Sequence, residues 1–239
     1  MPELIYTPVG SKVDDSQSLS HVQMNYSRAM LEQVAQDPEF GPQVRVYCPE
    51  KTVAFSRREM FLPGFEAAQS AARKLGFEPV IRPAGGRAVA YHLGSVVFDL
   101  VIPEPRLRFS SEFIFKEFGY VMVAMLRSMG VDAKLGPVSG EYCPGKYSIN
   151  SRDKVKLMGT AQRASRGVRL VSGSMLLDNS EPVREVLIAV NRSLNFDWEP
   201  KTVGSLFEEV GSLNSDSVAK FLASEIKSFG DQLFRQEYF

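Results

Sequence analysis

Three short stretches carry the side chains best suited to chemistry. The first is Arg82-Pro83-Ala84-Gly85-Gly86-Arg87-Ala88-Val89-Ala90-Tyr91-His92. Adjacent glycines let backbone N–H groups come close to a ligand, because no Cβ stands in the way. The flanking arginines suit a carboxylate or a phosphate. Taken alone, the pair also fits an ordinary hairpin turn. The second stretch is Ser139-Gly140-Glu141-Tyr142-Cys143-Pro144-Gly145. A cysteine beside Pro and Gly in a polar loop is expected to be partly exposed, unlike Cys48, which adjoins strand-like residues. Such a thiol is a candidate nucleophile, although most single cysteines are not. The third is Lys154-Val155-Lys156-Leu157-Met158-Gly159-Thr160-Ala161-Gln162-Arg163. Lys156 stands in a strand-like run that gives way to small residues. It is either an ordinary surface lysine or an ammonium held over a substrate carbonyl, where it stabilises developing negative charge.

The elements that must position these stretches read from periodicity. A helix is expected over 21–36, stopped by Asp37-Pro38. Residues 44–47 and 52–55 read as short strands around a Cys48-Pro49-Glu50 turn, 65–75 as a helix ended by Gly76, and 78–82 as a strand. The nearly unbroken apolar run at 96–102 predicts a strand covered on both faces. Ile114, Phe118, Val121, Met122 and Met125 fall at helical spacing and predict a helix over 111–129, ended by Gly130. Residues 147–149 and 155–158 predict a hairpin across 150–153, and 168–177 a pair of strand-like stretches. Ser180 is expected to cap a helix with Val183, Val186, Leu187, Val190 and Leu194 on one stripe. Two more helices are expected over 203–210 and 217–229. Residues 131–147 form a long loop, and it holds Cys143. Strands and helices alternate irregularly. That predicts an α+β class, a mixed, mostly antiparallel β-sheet flanked by helices.

The 239 residues fit one domain, 1–239. Lys plus Arg, at 28, equals Asp plus Glu, at 28, which leaves no electrostatic case for nucleic acid or an anionic membrane. There is no apolar run of about 18 residues to span a bilayer. The opening MPELIYTPVGSKVDD has no basic segment leading into an apolar one, so no signal peptide is expected. Two cysteines and two histidines argue against a disulfide scaffold and a structural zinc site. A cytoplasmic protein without a metal is expected.

In order and spacing, the three stretches together resemble the catalytic domain shared by lipoate-protein ligases, octanoyltransferases and lipoyl amidotransferases. In that family a glycine-rich strand–turn binds the acyl group and any adenylate. Arg82, Gly85, Gly86, Arg87, Ala88, Val89 and His92 match it. Lys156, Gly159, Thr160, Ala161 and Arg163 match the segment that carries the family lysine. The resemblance therefore implies substrate binding by the first group and by Gly159, Thr160 and Ala161, and catalysis by Lys156. Tyr142-Cys143-Pro144-Gly145 looks like the site of the cysteine-dependent branch, which implies Cys143 as nucleophile. The fold implied is that of class II synthetase and biotin protein ligase catalytic domains. The activity implied is transfer of an octanoyl or lipoyl group, through a Cys143 thioester, to a lysine of a lipoyl carrier domain. Its partners are an acyl carrier protein or a lipoylated donor domain, and an acceptor that is a glycine-cleavage carrier or a 2-oxoacid dehydrogenase subunit. No cofactor is needed for transfer. The alternative is an ATP-dependent ligase forming lipoyl-AMP, with Arg82 and Lys156 holding the adenylate and Mg2+ on the phosphates. A second alternative is a non-catalytic carrier- or acyl-binding relative. Apolar residues of 96–100 and 170–177 are expected to line an acyl tunnel.

Overall fold

The structure, a computed structural model, describes residues 4–7, 18–106, 108–165 and 167–238. Most of the N-terminal stretch read for a signal peptide lies outside the described residues. In chain order the elements are β1 (Leu4–Thr7), α1 (Leu19–Gln36), β2 (Gln43–Tyr47), β3 (Thr52–Phe55), α2 (Phe65–Lys74), β4 (Glu78–Ile81), β5 (Val89–Tyr91) and β6 (Ser95–Pro103). Then follow α3 (Ser111–Ser128), β7 (Ala133–Leu135), β8 (Ile149–Ser151), β9 (Val155–Ser165), β10 (Val168–Leu176), α4 (Glu181–Ser193), α5 (Leu206–Val210) and α6 (Ser215–Tyr238).

Strand β6 explains the apolar run. All nine of its residues are buried. Val96, Phe98, Leu100 and Ile102 enter a core shared with α3 and α6, while Val97 and Val101 point into two other clusters. With apolar cover on both faces, alternation has no polar phase to show. Around this strand runs a seven-stranded sheet in the order β1-β2-β6-β10-β9-β8-β7. Its β1–β2 pair is parallel and the others are antiparallel. A separate three-stranded sheet has the order β4-β3-β5. Helices α2 and α4 cover one face of it through Ala68, Ala72, Val186 and Val190. The α+β class therefore stands.

The two sheets meet face to face. Ala54, Val80, Val89 and Tyr91 from the small sheet pack with Tyr47 and Val97 from the large one. The strands at 44–47 and 52–55 thus belong to different sheets and do not form a hairpin; the Cys48-Pro49-Glu50 turn passes the chain from one layer to the other. Residues 168–176 are one strand, not two. Ser180 stands at the start of α4 but makes no cap bond; its hydroxyl donates to Glu208 at 2.6 Å. Ser205 caps α5 instead, in a reciprocal box with Glu208. Under the start of α3, Arg169 pairs with Glu104 and also donates to the Phe109 carbonyl and Ser111 Oγ. That buried pair anchors the end of α3 that flanks the site.

Candidate active site

The floor of the main cavity is a patch of small residues on two paired strands. Ser174, Gly173 and Ser172 of β10 face Gly159, Thr160 and Ala161 of β9 in register. All six line a cavity of about 520 Å³. A Cβ at position 173 would stand 2.5 Å from the Phe98 ring and 2.7 Å from the Gly159 carbonyl. Glycine is required there because the core aromatic packs directly behind the floor. Arg82, Gly85, Gly86, Val89 and Tyr91 form one wall. The opposite rim is a clasp between α3 and the residues after Cys143. Glu112 accepts from Lys146 Nζ and from Tyr147 OH, both at 2.6 Å, and the Phe115 and Tyr147 rings stack at 5.8 Å. The Lys146 bond, and then the Tyr147 bond, hold the Glu112 carboxyl below the usual carboxylate range. The clasp is therefore present at neutral pH and is lost only as pH falls through that lowered value.

Cys143 and Lys156 meet at this cavity. Lys156 Nζ donates to the Cys143 carbonyl at 2.6 Å and to Glu141 Oε1 at 3.0 Å. Both the lysine and the glutamate side chains are buried, at 3% and 0% exposure. An ammonium has three N–H donors, so one is left for the cavity that Lys156 lines. Glu141 also accepts from the Val138 and Gly145 amides and from Ser148 Oγ. One buried carboxylate thus ties both ends of the Cys143 loop to the lysine. Tyr142 packs over this pair, with Lys156 Nζ 5.1 Å from its ring centroid. Burial, reinforced by Cys143 and Glu141, pushes the Tyr142 phenol far up, so it stays neutral. Cys48 is different: burial and then Asp216 push its thiol up, which disfavours the reactive thiolate.

The glycine turn approaches the thiol rather than standing apart from it. The Arg87 amide donates to Cys143 Sγ at 3.2 Å, and Arg82 Nη2 donates to the Arg87 carbonyl at 2.8 Å. Beneath the turn, buried Glu59 accepts from the Ala88 amide at 2.7 Å and from the Ser56 amide and hydroxyl. The Arg87 guanidinium stacks on Phe196, 4.3 Å from its ring centroid. The Ala88 side chain is buried in the α2–α4 cluster, and only its amide serves the turn. His92 does not reach the cavity. Gly94 N donates to its Nδ1 at 2.8 Å, and its Nε2 lies 3.0 Å from the Asn179 carbonyl, so the ring locks the turn into β6. Of the expected tunnel residues, 172–174 line the cavity; 96–100 do not, because β6 is the neighbour of β10 on the side away from β9 and its apolar side chains enter the cores. Among the described residues, no group of three or more His, Cys, Asp or Glu side chains gathers as a metal site.

A family model for the lipoyl protein ligase A/B catalytic domain matches residues 20–227. The chain belongs to that family. Octanoyl-[GcvH]:protein N-octanoyltransferase of Geobacillus kaustophilus is 30% identical over 80% of this chain and 71% of its own length. Lipoyl-[GcvH]:protein N-lipoyltransferase of Listeria monocytogenes is 28% identical over 61% of this chain and 52% of its own. A lipoate-protein ligase A solved with ATP superposes with a TM-score of 0.64 at 19% identity, over 98% of this chain and 94% of that one, which is a likeness of fold.

Within this ligase A/B catalytic domain, sequence reasoning missed Glu141 and Glu59. Glu141 stands among small residues and a tyrosine, whereas Glu59 follows two arginines and reads as an ordinary surface charge. Their burial, which local sequence does not report, is what sets them apart. The turn itself supplies a test. Gly86 has φ +98°, and a Cβ there would stand 2.8 Å from Arg82 Nη2 and 3.1 Å from Cys143 Sγ. The backbone strain of Gly86→Ala costs about 1–2 kcal/mol, a loss of several degrees in melting temperature. Displacing the thiol from its N–H donor is expected to slow Cys143 acylation by roughly 10²-fold. Thermal melts and acylation rates check the two separately, and a rate within about threefold of wild type would show that the turn does not serve the thiol.

Proposed function

We propose that this protein is an octanoyl or lipoyl transferase that takes the acyl group from a GcvH-type carrier and places it on a lysine of a second lipoyl domain. The observation that carries this reading is the Cys143 thiol at the cavity. It faces the Arg87 amide, and Lys156 is bonded to its own carbonyl. The Cys143 thiolate adds to the donor acyl carbonyl. The Lys156 ammonium stabilises the oxyanion so formed. The bond from the carbonyl carbon to the donor nitrogen breaks, and the donor lysine leaves as an amine after taking up a proton. An acyl thioester remains on Cys143. The acceptor lysine amine then attacks that thioester, the amide forms, and the Cys143 thiolate is released.

Small residues at 159–161 and 172–174 suit an extended acyl chain laid along the floor. This reading needs no nucleotide. A cytoplasmic setting, where thiols stay reduced, suits a free nucleophilic cysteine. Incubation with octanoyl-GcvH, without ATP, is expected to add the mass of one octanoyl group to the Cys143 peptide, sensitive to hydroxylamine. If acyl groups reach an acceptor only when ATP and Mg2+ are present, and no adduct forms, the protein is a ligase.

A further inference from the structure

A transferase with protein substrates must grip them close to its thiol, so the inference below rests on that proposed function. Residues 57–61 make an unusual surface. Phe61 is 86% exposed, well beyond Tyr120 at 51%, the next large hydrophobic among the described residues. Met60 beside it is 44% exposed, and Pro63, Arg57 and Arg58 are exposed as well. A lone exposed apolar residue needs no explanation. Here an aromatic, a methionine and two arginines adjoin, which is the side-chain mixture enriched at protein–protein contacts.

The patch is held rigidly and close to the site. Residues 59–61 form a short 3-10 turn. At its start Glu59, the only carboxylate of residues 56–64, is turned inward and buried. It binds the Ala88 amide, one residue beyond the Arg87 amide that meets Cys143 Sγ. Inward rotation of that carboxylate leaves the outer surface of the turn with cations alone. On the other side of the glycine turn, exposed Arg163 donates to the Pro83 carbonyl. Arg57 and Arg58 thus flank the glutamate that holds the glycine turn, Arg87 belongs to that turn and Arg163 bonds to it, in a chain whose net charge is zero.

We infer that residues 57–61 are the docking platform for the acyl carrier domain. Phe61 and Met60 insert into an apolar depression of the carrier, and Arg57 and Arg58 pair with an acidic surface around its modified lysine. The carrier docked there directs its acyl-lysine arm over the Gly85-Gly86 turn into the cavity. Positive charge beside the glycine turn raises the encounter rate with an acidic partner and makes it dependent on salt.

The test uses the full chain, octanoyl-GcvH as the macromolecular probe, and octanoyl-N-acetylcysteamine as a small thioester that needs no docking. The variants are R57E/R58E together and F61A, which alter exposed side chains only. Affinity for octanoyl-GcvH is expected to fall by roughly tenfold or more in each variant, and the salt dependence to flatten in R57E/R58E. Acylation by the small thioester is expected to match wild type. Unchanged affinity for the carrier overturns the inference, as does an equal loss with the small thioester. An effect of F61A without one of R57E/R58E overturns the acidic partner. Self-association that F61A abolishes, with carrier affinity intact, assigns the patch to a second copy of the chain. Wild-type binding of the carrier that depends on this patch, without any acylation of Cys143, would sink the transferase reading and keep the docking surface.

Discussion

Cys143→Ala is expected to leave no acyl adduct and to lower transfer from octanoyl-GcvH by at least about 10⁴-fold, the scale on which removal of a covalent nucleophile acts. Cys143→Ser tests whether the thiol is needed as a thiol. The hydroxyl fits the same space but is a poor nucleophile without a base to activate it. Neither histidine lines the cavity: His92 is engaged with Gly94 and Asn179, and His21 bonds Ser18 at the start of α1. The serine variant is therefore expected to be almost as inactive as the alanine. Lys156→Met separates the two roles of the lysine. It keeps the length of the side chain and removes the charge, so loss of oxyanion stabilisation is expected to slow acylation by roughly 10²–10³-fold. Lys156→Arg does not restore the rate, because a planar fork cannot reach Glu141 and the Cys143 carbonyl from the position of an ammonium. Intact-mass kinetics with octanoyl-GcvH, in the absence of ATP, check all four. A Cys143→Ala protein that still transfers acyl groups at a tenth of the wild-type rate would end the covalent mechanism.

How much of this was readable beforehand depends on what each residue faces. The Cys143, Lys156 and glycine-turn stretches were each ambiguous alone and were singled out only by their joint order and spacing, and the structure brings all three to one cavity. Helix α3 and strand β6 were legible because their apolar spacing or continuity reports burial directly. Two boundaries differed at glycines that mark close approach. The last helix was expected over 217–229, yet α6 runs from Ser215 to Tyr238, through Gly230. A Cβ at Gly230 would stand 2.8 Å from Leu100 Cδ1, so the glycine lets the helix lie against β6. Residues 168–177, read as two strand-like stretches, are one strand, Val168–Leu176, in which Gly173 lets the Phe98 ring approach. Short edge strands carried too few residues to show a period: β1 and β7 were not foreseen, and β7 lies inside what read as a loop. His92 matched the resemblance by position, but its ring is turned into the backbone of its own turn. The partition of β2 and β3 between two sheets depends on long-range pairing, to which local pattern is blind.

Glu141 is the residue on which loop and lysine both depend, and its variants should show the largest loss of stability in the site. Glu141→Ala leaves the Lys156 ammonium buried without its carboxylate, and strips a partner from Val138 N, Gly145 N and Ser148 Oγ. Breaking a buried pair from one side costs about 3–5 kcal/mol, and for a chain of this size each kcal/mol moves the melting temperature by roughly 2–4 °C. Glu141→Gln keeps an oxygen acceptor at the same place and loses the charge and part of the acceptor capacity. Its melting temperature is expected to lie between those of Glu141→Ala and wild type. Activity should separate from stability. Both variants free Lys156 to turn towards other acceptors, so acylation of Cys143 is expected to fall sharply in Glu141→Gln at temperatures where that protein is fully folded. Thermal melts paired with acylation rates at such a temperature decide the matter. A Glu141→Gln enzyme with wild-type acylation would mean that hydrogen bonds alone hold the loop, and that the buried charge pair contributes nothing to placing the ammonium.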